Sequence, residues 1–165
     1  MTNEQHTLLS VLAERRQFLR HTLEGMTDEQ AARRSTVSAL CLGGLVKHVA
    51  DTEAVWAAFI VGGADAMDAE AASQGDRDAN FAMQPGDTVE RVLAHYSEVA
   101  ARTDALIASL DDLDASHLLP PAPWFPPDTH RSAREVVLHM IGETAQHAGH
   151  ADIIREAIDG AKTMG

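Results

Sequence analysis

The segment 132–160 does most to narrow the folds that this chain can adopt. Ser132 and Glu135 stand three residues apart, as in a capping box that begins a helix, and Gly160 is a residue type that ends one. Between them apolar residues recur about every 3.6 positions, which is the period of a helix and not of a strand. The sequence therefore predicts a long amphipathic helix over residues 132–159.

Three further segments show the same helical period. They span residues 7–23, residues 38–61, and a stretch from residue 87 or 88 to residue 110. Glycines follow the first two, as expected at helix ends. Thr27 and Gln30 form a second capping box, which predicts a short helical turn after the first helix. Aromatic residues, which are typical of strands, make up only 4% of the chain.

The connections between the predicted helices limit how the helices can be arranged. Segment 64–86 has no sustained period and is predicted to be a long, partly ordered connection, which lets the helices on either side run parallel. Segment 117–130 holds all but one of the six prolines and is predicted to be an irregular loop. The sequence thus predicts one all-α domain over residues 1–165, a four-helix bundle with long connections.

The last predicted helix carries ionisable residues inside its apolar face. Successive residues of a helix turn by about 100°, so Glu143, His147 and His150 fall in one band with Val136 and Ile154. Because an unpaired charge is costly to bury, such groups are expected inside only if they satisfy one another or bind a cation. Glu143 and His147 are one turn apart, a separation that a single metal ion can bridge.

The second predicted helix offers a further metal ligand. His48 lies on its apolar side, whereas Asp51 points to the other side. Together with Glu143 and His147, this imidazole would give three protein ligands and leave a coordination position open for water or substrate. Two other interpretations stay open, because an inward histidine is often only a hydrogen-bonded core residue, and an acid and a base four residues apart often form a surface ion pair.

Other chemically capable residues have weaker support. His139 lies near the edge of the apolar face and is interpreted as a surface residue in preference to a support for the metal ligands. Cys41 could be a thiol activated by a helix N-terminus, but it is interpreted as a small buried or capping residue. Trp124 and Phe125 could cover a pocket, and they are interpreted instead as a plug that pins the proline-rich loop to the bundle.

Charge and composition disfavour several classes of partner. The formal net charge is −12, which repels nucleic-acid phosphates and anionic lipids, so neither is expected to bind. A single cysteine cannot form an internal disulfide. The sequence shows no secretion signal and no apolar stretch of the ~20 residues that span a bilayer, so a cytoplasmic location is expected.

Two strings of residues carry a resemblance to a known family. They are LCLGGLVKHVADTEAVW and HMIGETAQHAGHADIIREAIDG. With them the chain resembles the DinB-like superfamily, in particular its DUF664 branch, which includes mycothiol and bacillithiol S-transferases. The resemblance implies an up-down-down-up bundle, often a homodimer, in which His48, Glu143 and His147 bind zinc, or alternatively nickel. It allows His150 to be either a fourth metal ligand or a residue that holds another ligand or a water in place. Many relatives carry histidine in place of Glu143, and glutamate resembles the mycothiol-dependent maleylpyruvate isomerase branch.

The function that this resemblance implies is metal-dependent transfer of mycothiol to small electrophiles. A divalent metal would bind the thiol as its thiolate, so the protein need not supply a cysteine. His150, or a water that it holds, would take the thiol proton. Two other functions stay open: a metal-binding stress or scaffold protein without turnover, and an isomerase of the maleylpyruvate type.

Overall fold

The structure, a computed structural model, describes residues 1–75 and 81–163. Helices hold most of these residues and the two strands have three residues each, so the predicted all-α class is confirmed. None of the helices in these ranges has the length and the apolar character needed to cross a membrane. In chain order the elements are α1 (Asn3–His21), α2 (Asp28–Ala32), α3 (Leu42–Ser73), α4 (Val89–Ser109), β1 (Ser116–Leu118), β2 (His130–Ser132) and α5 (Ala133–Asp159).

Side-chain caps explain where several helices begin. The two predicted capping boxes are present at the starts of α2 and α5. A third box, which was not predicted, links Thr2 with Gln5. It accounts for the start of α1 at Asn3, where the sequence predicted residue 7. At the other end of α5, Gly160 has a φ of 80°, a left-handed conformation that suits glycine.

The start of α3 also differs from the prediction. The helix begins at Leu42 instead of at residue 38, because Cys41 occupies the N-cap position with an extended backbone. Cys41 is buried, and its Sγ lies 3.9 Å from the carbonyl oxygen of Phe81. Its interpretation as a small buried residue in the capping region is confirmed.

A glycine pair kinks α3 without ending it. Gly62 and Gly63 leave helical geometry, and Gly63 adopts a φ of 67°. The alanine-rich residues 64–73 then continue as helix, which agrees with the high helix propensity of alanine. The prediction of a long connection over residues 64–86 was therefore wrong for this part, and residues 76–80 of that segment lie outside the described residues.

Helices α1 and α5 run in the same direction. Near their beginnings Arg134 Nε donates a hydrogen bond to Glu4 Oε1 at 2.5 Å. Near their ends Arg155 Nη1 donates to the carbonyl oxygen of Thr22 at 2.9 Å. The two helices are therefore parallel neighbours.

Helices α3 and α4 are parallel to each other and antiparallel to α1. Lys47, near the start of α3, bonds to Asp87, just before α4, at 2.5 Å. Further along the same helices, Phe59 and Ile107 share one core cluster, which also contains Leu8 from the first half of α1. The four long helices thus follow the up-down-down-up order, and the connection between α3 and α4 is the crossover that this order requires.

Two clusters of buried apolar side chains form the core, one towards each end of the bundle. An ion pair lies between them, in which Arg16 Nε and Nη2 donate to the two carboxylate oxygens of Glu53 at 3.0 and 2.7 Å. Asp104 accepts a third bond from this guanidinium at 2.7 Å. Arg16 is 5% and Glu53 2% exposed, so the pair is almost fully removed from water. It was not predicted from the sequence.

A short hairpin frames the proline-rich segment. β1 and β2 pair antiparallel, with Ser116 opposite Ser132. Residues 119–129, here called the proline loop, connect the two strands. The predicted irregular loop over residues 117–130 was therefore wrong at both ends, because strands of three residues are too short to show an alternating pattern.

Candidate metal centre

His48 projects from the first half of α3 into the interior. It is 6% exposed, and its ring stacks on the ring of Phe81 with 3.9 Å between the centroids. Its Nε2 lies 3.5 Å from the hydroxyl oxygen of Thr52, one turn further along the helix. The prediction that this imidazole faces inward is confirmed.

Glu143 and His147 project from α5 towards the same point. His147 Nε2 lies 3.5 Å from Glu143 Oε2. The His147 side chain is 14% exposed and that of Glu143 is 31% exposed. The His48 and His147 rings meet edge to face, with 5.0 Å between their centroids. One candidate ligand atom from each of the three residues lies within 4.8 Å of the other two. The structure therefore brings together the three side chains that the sequence singled out.

The chemistry of this group suits a divalent metal. Two imidazole nitrogens and one carboxylate oxygen form a donor set that zinc and related ions accept, and three protein ligands leave room for a fourth. Burial lowers the pKa of His147, which outweighs the opposing effect of Glu143. Its ring is therefore neutral at neutral pH, the form that a metal requires.

His150 contacts the group through His147. Its Nδ1 lies 3.4 Å from Nδ1 of His147, so one ring can donate a hydrogen bond to the other. His150 lies outside the trio whose ligand atoms converge. A contact to one ring nitrogen of a ligand fixes the orientation of the ring and the position of its proton. This geometry favours a supporting position for His150 over a place as fourth ligand.

His139 lies in the wall of the site and not on the open surface. Its Nε2 is 3.9 Å from Glu143 Oε1, and its ring meets the ring of Trp56 with 4.7 Å between the centroids. Burial lowers the pKa of His139, and the positive charge of Arg131 lowers it further. Its interpretation as a surface residue was therefore wrong.

A cavity of about 560 Å³ lies beside the group. His48 and Glu143 form part of its lining, and the other described lining residues come from both halves of α3, from Gln74 and Gly75 after it, from His139 and from the proline loop. The size falls within the range of small-molecule sites in proteins. Two of the candidate ligands are thus accessible to a ligand that enters this space.

The proline loop contributes both a plug and an exposed ring. Phe125 packs against the core cluster that contains Phe59, whereas Trp124 is 69% exposed and lines the cavity. The Arg131 guanidinium lies 5.0 Å from the Trp56 ring centroid and 5.8 Å from that of Phe125, within cation–π range. The plug interpretation thus holds for Phe125, and Trp124 belongs to the pocket wall.

Asp51 was missed as a residue of the site. Helical periodicity placed it on the outer side of its helix, but it lines the cavity and is bonded to His95 Nε2 at 3.1 Å. This hydrogen bond to Asp51 raises the pKa of His95. Its position three residues after His48 was the available signal, because residues three and four apart share one face of a helix.

The chain is similar to a known protein family. A family model described as mycothiol-S-transferase matches residues 7–160. The match covers both helices that carry the candidate ligands. No curated protein matches the chain.

Proposed function

Because the chain belongs to the mycothiol-S-transferase family, we propose that it joins the low-molecular-weight thiol mycothiol to a small electrophile. The observation that carries this proposal is the convergence of His48, Glu143 and His147 at the edge of a ligand-sized cavity. We propose these three side chains as ligands of one divalent metal, zinc in preference to nickel. Such a metal would supply the positive charge that keeps a thiol as thiolate at neutral pH.

The nucleophile comes from the cosubstrate and not from the protein. The one cysteine, Cys41, is buried and is not among the residues that line the cavity. In the proposed reaction the thiol gives up its proton, its sulfur forms a bond to the electrophilic carbon, and the leaving group departs with its electron pair. The chain holds and orients both molecules and limits the access of water. We propose the cytoplasm as the location, because a low-molecular-weight thiol must stay reduced to act.

Removal of the metal tests the proposal. We expect the purified protein to accelerate conjugation of mycothiol to chlorodinitrobenzene, and the rate to fall to that of the uncatalysed reaction after dialysis against a chelator. One equivalent of zinc should restore it, because the three ligands are preserved. Rates are followed by absorbance of the thioether. Equal rates with and without metal would contradict the metal-dependent mechanism. Metal binding without turnover of any thiol would favour the scaffold function.

His150 is proposed as the acceptor of the thiol proton, through an intervening water, and as the residue that orients His147. His150→Ala is expected to weaken metal binding by about 10–100-fold, the usual effect of losing such a support. At saturating metal it should also shift the pH profile of conjugation. The exposed His6 on α1 provides the control, His6→Ala. An unchanged pH profile in His150→Ala would remove the proton-acceptor role.

We also propose a homodimer formed through the outer face of α5. Leu138 and Ile153 are 52% and 63% exposed there, and Gly142 and Gly149, on the same face, have open space where a Cβ would stand. Glycine costs about 1 kcal/mol inside a helix, and nothing in the described fold requires it here. Ile153→Arg is expected to convert a dimer to a monomer in sedimentation analysis, whereas the exposed control Val61→Arg should not. A wild-type monomer at micromolar concentration would contradict the proposal.

A further inference from the structure

We infer that the cavity selects electrophiles that are uncharged and carry a flat apolar group, and that it rejects electrophiles that carry a carboxylate. This inference rests on the proposed function and deepens it by naming the class of the second substrate. It follows from two independent properties of the cavity wall, its charge and its aromatic surface.

The fixed charges on the described residues of the wall are acidic. Three carboxylates, those of Asp51, Asp68 and Glu143, line the cavity, and no lysine or arginine is among the described lining residues. Glu143 and the bound thiolate would together balance the two positive charges of the proposed metal, and His95 is bonded to Asp51 at 3.1 Å. Asp68 adds a further negative charge. A carboxylate on the electrophile would approach these acids without a matching lysine or arginine from the described part of the wall, and like charges at short range repel.

Among the described residues, the guanidinium of Arg131 contacts the rings of the cavity wall but offers no open donor to the cavity. Arg131 is covered by the rings of Trp56 and Phe125. Its Nη1 is buried and has no hydrogen-bond partner within the described part of the chain. The two rings belong to the cavity lining and Arg131 does not. The cavity therefore presents aromatic surface at this point and not an open donor for a carboxylate.

The aromatic surface favours a flat apolar ligand. Trp56, Trp124 and Phe125 all line the cavity. Trp124 is 69% exposed, and its described ring contact is an edge contact with Phe125, with 6.2 Å between the centroids. Covering a solvent-exposed indole with an apolar ring is favourable, because it removes apolar surface from water. Pro121 and Pro123, which precede Trp124 in the loop, restrict the backbone. Less conformational entropy of the loop is therefore lost when a ligand binds to the ring.

Binding of two unreactive ligands tests the inference without turnover. 1,3-Dinitrobenzene and 3,5-dinitrobenzoate differ by one carboxylate and carry no halide leaving group. Calorimetric titration of the zinc-loaded protein saturated with mycothiol therefore measures recognition by the cavity wall, because the thiol would occupy the open metal position. We expect dinitrobenzene to bind at least about tenfold more tightly. Trp124→Ala should weaken dinitrobenzene binding, and Asp68→Asn should narrow the difference between the two ligands. Asp65→Asn, an exposed acid on the same helix that does not line the cavity, is the matched control.

A reactive pair separates this inference from the proposed function. Conjugation of mycothiol to iodoacetamide and to iodoacetate forms the same type of C–S bond with loss of iodide, and each rate is divided by its uncatalysed rate. Acceleration with iodoacetamide well above that with iodoacetate supports the inference. Equal or tighter binding of dinitrobenzoate overturns it and would point to Arg131 as an anion site, as a dicarboxylate isomerase would need. Selective binding without turnover of either iodo compound would sink the transferase proposal and leave the selectivity of the cavity intact.

Discussion

Replacing His48 with alanine is expected to remove the bound divalent metal and to lower thiol conjugation by roughly a hundredfold or more. His48 supplies the donor from α3, and without it only Glu143 and His147, on a single helix, would hold the ion. Two ligands on one helix bind far more weakly than three that converge from two helices. Elemental analysis of the purified protein and kcat/KM for conjugation measure the two effects.

The control for this experiment is a histidine beside the same centre. His139 contacts Glu143 and lines the cavity but is not one of the three, so His139→Ala should keep its metal. Because His48 is buried, its alanine variant can also lose stability, and His48→Gln keeps more of the volume. Circular dichroism then identifies the folded samples in which metal content is compared. A folded His48 variant with stoichiometric metal would refute the ligand assignment.

Replacing Glu53 with alanine is expected to lower the free energy of unfolding by about 3–5 kcal/mol, measured by urea denaturation. The loss arises because the guanidinium of Arg16 would stay buried between the two core clusters without its main partner. Asp104 also bonds to Arg16 but its side chain is 43% exposed. Asp104→Ala should therefore cost no more than about 1 kcal/mol.

A double variant separates the charge from the packing. Arg16→Met combined with Glu53→Leu fills a similar volume with apolar groups, and such replacements of buried ion pairs are often neutral or stabilising. We expect it to recover most of the stability that Glu53→Ala loses. If Glu53→Ala costs no more than Asp104→Ala, the buried guanidinium of Arg16 does not depend on Glu53 as its main partner, and the prediction is wrong.

The helices were largely predictable from the sequence, because the 3.6-residue repeat of apolar side chains and the capping residues are both local properties. The capping boxes at Thr27 and Ser132 form in the structure as the sequence predicts. The continuation of α3 over residues 64–73 was not predictable from the same rules, since Gly62 and Gly63 look like a helix end. Whether such a pair ends or kinks a helix depends on what packs next to it, and here an added Cβ at Gly63 would meet the ring of His117.

The candidate ligands were predictable because each lies on the inner face of its own helix. The cavity was not, since its wall depends on the path of the proline loop and on the second half of α3. The ion pair between Arg16 and Glu53 left a signal that was not used. Arg16 stands four residues after Leu12, and Glu53 four residues after Val49, so both continue an apolar stripe with a charged residue.

The kink in α3 separates the part of the helix that carries His48 from a second part that contributes only cavity wall to the site. Residues before Gly62 carry His48, whereas residues after Gly63, including Met67 and Asp68, form cavity wall. Sequence changes beyond the bend can therefore reshape the space offered to a guest molecule while the upstream imidazole keeps its position. In such an architecture new substrate preferences can evolve without rebuilding the reactive centre.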